Sequence, residues 1–93
     1  MTADLKLLAA EIRLARKIPM REIPTVARKP EWPAWARWIT TDGALMCGVG
    51  IAWEFKPVPT LQRWEQGKAG RQTFVVPVVN TGKWYLSLRR IVG

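Results

Sequence analysis

The chain has 93 residues and a mass of 10.6 kDa, and its 15 Lys and Arg against 7 Asp and Glu give a net charge of +8 and a pI near 10.6. That is room for one small domain, residues 1–93, burying roughly 60–65% of its unfolded surface, and an apolar content of 48% is that of a folded chain rather than a disordered basic tail. Six Trp, one Cys and no His exclude a Ser-His-Asp or Cys-His catalytic site, a zinc site of the usual kind and an internal disulfide.

Residues 3–18 read as a helix, because Leu5, Leu8, Ile12 and Ala15 recur on one face of a 3.6-residue period and Leu7 and Leu14 widen it. Thr2 is the expected N-cap. Asp4 sits in the first turn and Arg16 and Lys17 in the last, as the helix dipole favours. Pro19 ends the helix. Residues 19–33 hold Pro19, Pro24, Pro30 and Pro33, each fixing its own φ and extending the residue before it, so this stretch is expected to be an extended connector.

Residues 34–93 read as β-rich. Trp32, Trp35 and Trp38 are spaced by three, and Pro33 can open a single helical turn that would stack the indoles on one side. Asp42 and Gly43 are a hairpin signal. Over residues 44–55, Leu45, Cys47, Val49, Ile51, Trp53 and Phe55 alternate on one face, opposite a flat face of small residues that permits close approach. Such a strand is too long for a small sheet, so a bend is expected at Gly48 or Gly50.

Pro57 and Pro59 are expected to end that strand, Leu61 and Trp64 to share a short helical turn, and residues 67–70 to form a loop. Residues 72–79 read as a strand that Pro77 confines to an edge, and Asn80, Thr81 and Gly82 as the turn into a last strand, 83–92. There Trp84, Leu86 and Leu88 would face the core beside Val49, Ile51 and Trp53, with Lys83, Tyr85, Ser87 and Arg89 facing out. The expected fold is α+β: one N-terminal helix packed on a mostly antiparallel sheet of about four strands.

The segment 30–43 resembles small uncharacterised proteins of tailed bacteriophages, which carry a Pro-x-Trp-x-x-Trp stretch followed by an Asp-Gly turn and an aromatic strand. Pro33, Trp35, Trp38, Asp42 and Gly43 carry that resemblance, which covers about a quarter of the chain; Ala44, Leu45, Met46 and Cys47 depart from it. The resemblance implies a phage or prophage source and a non-enzymatic binder of host machinery or host defences, with no specific activity.

The charge points the same way. Residues 1–37 carry eight bases and four acids, residues 38–55 only Asp42 and Glu54, and residues 56–93 seven bases against Glu65. A positive field centred on the C-terminal third attracts nucleic acid or an acidic protein surface. Arg63, Lys68, Arg71, Lys83, Arg89 and Arg90 are the candidate phosphate contacts, and Tyr85 a residue to stack on a base. Trp32 and Trp64, flanked by Pro, Glu and Arg, are the indoles expected to be partly exposed as interface anchors. Arg71, Lys83, Arg89 and Arg90 are expected on or near one face, with Lys68 at its rim.

Residues 67–70 lack the spacing of a phosphate loop, the carboxylates are scattered, and Cys47 reads as an inert buried thiol. No cofactor or metal is expected, nor an enzyme. No run of about 18 apolar residues is free of charge or Pro, so no membrane span is expected, and charges interrupt any signal-peptide core. A lone Cys suits a reducing compartment, here the cytoplasm. The expected function is that of a small basic binding protein engaging nucleic acid or a nucleoprotein complex. The alternative is an inhibitor that binds an acidic host protein through exposed Trp and Arg. Oligomeric state is left open.

Overall fold

A computed structural model of the chain describes residues 2–41, 50–61, 63–75 and 83–93, with side chains from residue 5 onward. The fold is α+β. Helix α1 spans Thr2–Arg16. A five-stranded sheet has the order β1-β7-β2-β3-β6, built from β1 (Thr25–Ala27), β2 (Trp38–Thr41), β3 (Gly50–Trp53), β6 (Gln72–Val75) and β7 (Arg89–Val92). A separate two-stranded ladder pairs β4 (Pro57–Pro59) with β5 (Trp64–Gln66). All pairings are antiparallel except that of β1 with β7.

The centre of the sheet is the pair β2–β3, in register from Trp38 opposite Trp53 to Thr41 opposite Gly50. The pairing agrees with a hairpin; the turn residues Asp42 and Gly43 lie outside the described residues, as do Leu45, Cys47, Gly48 and Val49. Strand alternation sends the two halves of this pair to opposite faces. One face buries Trp38, Ile51 and Trp53 with Ile23 and Trp64, against partly buried Ile18, Trp84 and Leu88. The other buries Ile39 and Ala52 with Trp32, Ala36 and Ile91, against Val26, Trp35 and Val75. The flat small-residue face thus has an occupant: Ala52, fully buried, lies in contact range of the loop that carries Trp32 and Ala36.

Several expectations are corrected here. Trp32, Trp35 and Trp38 do not share one side, because Trp38 enters β2 and points to the face opposite Trp32. Trp32 and Trp64, expected to be partly exposed, are each 4% exposed. Flanking prolines and charges set the backbone path, not the direction of the indole between them. The connector 19–33 is not wholly irregular. It holds a 3-10 turn at Met20–Glu22 and then β1, which joins the sheet edge parallel to β7.

Strand β3 ends at Trp53, ahead of Pro57 and Pro59 as expected, but the prolines then form a strand of their own, β4, tolerated because a two-stranded ladder consists of edges alone. Leu61 and Trp64 share no helical turn. Thr60 instead donates its N–H to Arg63 O at 2.8 Å, closing the β4–β5 turn. Residues 83–92 do not form one long strand either. Trp84–Leu86 is a 3-10 turn, and the strand begins only at Arg89. Tyr85 and Ser87, expected to face out, are buried, while Leu86 is exposed. The edge position of 72–79 holds for β6, with Pro77 and the turn at Asn80, Thr81 and Gly82 outside the described residues.

Helix α1 buries Ile12 but leaves Leu5, Leu7 and Leu14 exposed. It docks on β4 and on the Trp84–Leu86 turn rather than across the main sheet; the side chains of Thr2 and Asp4 lie outside the description. Among the described residues no helix is long and apolar enough to cross a membrane.

Among the described residues, no buried side-chain nitrogen or oxygen lacks a hydrogen-bond partner. Trp53 Nε1 donates to Thr40 Oγ1 at 2.9 Å and Trp64 Nε1 to Trp84 O at 3.1 Å. Ser87 Oγ accepts from Thr41 N–H at 2.9 Å and lies 2.6 Å from the Trp84 carbonyl. Arg28 donates to the carbonyls of Pro33, Ala36 and Gly93, tying the Trp32 loop to the end of β7. Removing the indole that this loop carries should leave a large cavity between Ala36, Ile39 and Ala52. Trp32→Ala is expected to lose about 3–5 kcal/mol in denaturant unfolding, a large share of what so small a domain has; a loss under about 1 kcal/mol is what an exposed indole would give.

Candidate functional site

An open groove of about 440 Å³ lies between β5 and the outer edge of the sheet. Its floor is Ile51, Trp53 and Trp64, the apolar face of β3 and the first residue of β5. Its outer wall is β6, where Gln72 stands opposite Trp53 and Phe74 opposite Ile51, so both share the floor's face. Phe74 is 66% exposed, an unusual condition for a Phe on a strand. Gln66, Glu65 and Arg63 complete the lining. Gln66 Nε2 donates to Gln72 Oε1 at 3.1 Å and to the Gly70 carbonyl at 3.2 Å, linking the groove to the loop 67–70.

That loop presents Lys68, whose ammonium sits 4.4 Å from the centre of the Phe55 ring, a contact in which the ring face attracts the cation. Gly70 has no room for a side chain: a Cβ there would come within 2.4 Å of the Phe55 ring. Arg63 and Lys68 have no ion-pair partner among the described residues.

The other predicted contacts are placed elsewhere, and the expected single face of Arg71, Lys83, Arg89 and Arg90 does not form. Arg71 is held by Glu54, through a 2.9 Å ion pair and a backbone N–H bond to the same carboxylate. Its guanidinium lies 5.3 Å from the Trp35 ring centre, on the side of the sheet away from the groove. Lys83 pairs with Glu11 of α1 at 3.1 Å. Tyr85, proposed to stack on a base, is buried and donates its hydroxyl to the same Glu11 carboxylate. Arg89 folds back on the Leu86 and Leu88 carbonyls. Arg90 is exposed on β7 but opposite Trp38, so it lies on the other strand face from Arg89. β6 and β7 are separated by β2 and β3, which keeps Arg71 away from Arg89 and Arg90.

Of the nine predicted residues, the groove and its adjoining loop unite Arg63, Trp64 and Lys68, with Trp64 as floor. Trp32 is core on the opposite face. Phe74, Gln66 and Gln72 were missed. The available signal was Pro77, which marks 72–79 as an edge strand and so leaves one of its apolar side chains without a neighbour to cover it.

A second, smaller crevice of about 90 Å³ lies under α1, lined mainly by Ile18, Ile23, Pro57, Trp64 and Leu88. Among the described residues no three His, Cys, Asp or Glu side chains gather as a metal site would need. No family model matches the chain, and no curated protein or solved structure is significantly similar to it.

The Glu11–Tyr85–Lys83 group ties α1 to the rest of the domain, and its electrostatics are testable. The Tyr85 hydrogen bond, then Lys83, hold the Glu11 carboxyl below its ordinary 4.5. Glu54 is lowered likewise by Arg71. Tyr85 is pushed up to about 12, first by its bond to Glu11 and then by burial. Lowered carboxylates contribute stability above the unfolded value that is lost as pH falls through the folded one. The raised phenol contributes below its unfolded value, near 10, and loses that contribution as pH rises toward 12. The chain has a single Tyr, so tyrosinate absorbance reads it directly. The folded protein should titrate near 12 and Glu11→Gln should bring the midpoint down toward about 10; a folded parent titrating near 10 would mean that the bond is not formed.

Proposed function

We propose that this is a small basic binding protein without catalytic activity, engaging nucleic acid or a nucleoprotein complex. One observation carries it. The groove pairs an exposed aromatic ring and two amide side chains with Arg63 and the Lys68 loop, on a chain of net charge +8. Aromatic faces beside cations are what single bases and phosphates require, and the overall field supplies steering. The likeness of residues 30–43 to tailed-phage proteins fits a partner met in the host cytoplasm.

The alternative is an inhibitor that binds a host protein directly. What favours it is not an exposed indole, since Trp32 and Trp64 are buried, but the exposed pair Leu7 and Leu14, seven residues apart and so on one side of α1. Apolar side chains exposed together on one helix face are material for a protein interface.

The two differ in salt response. Binding to a mixed-sequence duplex and to its separated strands should weaken steeply and linearly in log–log form as salt rises. Arg63→Ala with Lys68→Ala should leave the fold intact, because exposed charges contribute little stability, and lower the slope by roughly 1–2. Binding of neither probe at low salt would overturn the nucleic-acid reading and leave the protein partner.

A further inference from the structure

Resting on the nucleic-acid reading, we infer that the groove between β5 and β6 is a base-stacking site selective for single-stranded nucleic acid. Phe74 is 66% exposed, yet it is fixed on a strand opposite buried Ile51, so its ring is presented on a rigid element. A ring held in this way offers one face to a partner without the entropy loss of ordering a loop. Every base has a π-face to lay on it, whatever its identity.

The polar wall completes the recognition. Gln66 Nε2 uses its two protons on Gln72 Oε1 and Gly70 O. The shared bond orients both amides and leaves Gln66 Oε1 as an acceptor and Gln72 Nε2 as a donor, the complementary pair that a base edge requires. The Glu65 carboxylate accepts from an exocyclic amino group, and it points the site toward bases rather than toward a bare phosphate. Arg63 at one side and Lys68 on the adjoining loop are available for the flanking phosphates.

A duplex cannot use this site. Its base faces are stacked on their neighbours, and a groove of about 440 Å³ has room for one splayed nucleotide, not for a helix. DNA and RNA single strands share the required chemistry; the 2′-hydroxyl alone separates them.

The test uses fluorescein-labelled oligonucleotides about ten nucleotides long, as single-stranded DNA, single-stranded RNA and duplex DNA of the same mixed sequence, titrated with the full chain at low salt. The expected result is preferential binding of one or both single strands over the duplex. Phe74→Ala should weaken single-strand binding about tenfold to a hundredfold, leave duplex binding unchanged, and keep the parent circular dichroism spectrum, since the ring is exposed. Phe74→Trp should restore binding. Equal affinity for duplex and single strands, or a folded Phe74→Ala variant that binds as the parent does, overturns the stacking site while leaving the polyanion reading in place. No binding of any probe overturns both.

Discussion

The central constraint is that β2 and β3 are buried on both faces, while the described residues contain one α-helix. Trp38, Ile51 and Trp53 point one way and Ile39 and Ala52 the other. A two-sided sheet is ordinarily covered by helices on each side. Here α1 docks on β4 and the Trp84–Leu86 turn instead, so the cover must come from large side chains on short, irregular segments. Trp64 and Trp84, in edge-to-face contact at 6.2 Å, serve one face, and Trp32 serves the other. Three of the six Trp, Trp32, Trp64 and Trp84, thus stand in for missing covering secondary structure.

Indoles on loops cover a sheet only if the loops are held. Arg28 holds one of them, with a guanidinium that reaches three carbonyls of the Trp32 loop and of the residue after β7. Glu11 holds the other side, joining α1 to Lys83 and Tyr85. Glu54 and Arg71 fasten the end of β3 to the start of β6. Charge that looked like a binding surface in composition is therefore partly architectural. Of the six predicted basic contacts, Arg71, Lys83 and Arg89 bind groups of their own chain, which leaves Arg63, Lys68 and Arg90 with the more open positions.

The same division explains what was legible in the sequence. Helix α1 follows from local periodicity, although it ends at Arg16, two residues before the expected end ahead of Pro19, and Ile51 with Trp53 follows from alternation, because each signal resides in neighbouring residues. The α+β class followed from those two patterns. Strand β1 was not legible, since three residues among prolines become a strand only by pairing with Ile91 and its neighbours near the far end of the chain. The burial of Trp32 and the bond from Tyr85 to Glu11 are equally non-local. Within the site, the cations Arg63 and Lys68 could be picked from charge alone, whereas Phe74 looked like any core residue of an edge strand until the position of α1 was known.

That position also explains why a groove exists. Prolines 57 and 59 shape β4 as a separate short ladder, and α1 is tied to it by Arg16, whose Nε donates to Pro59 O at 2.8 Å. The helix is thereby drawn away from β6. The sheet extends one strand beyond its cover, and the first uncovered residues on that face are Gln72 and Phe74, with the β5 wall across from them. An uncovered sheet margin is normally blunted by charge to prevent strand pairing with other molecules. In this protein the adjoining loop carries Lys68, so the margin is flanked by a positive charge while its aromatic ring stays accessible. On the proposed nucleic-acid reading, one exposed ring beside that charge is enough to make a basic surface selective for unstacked bases.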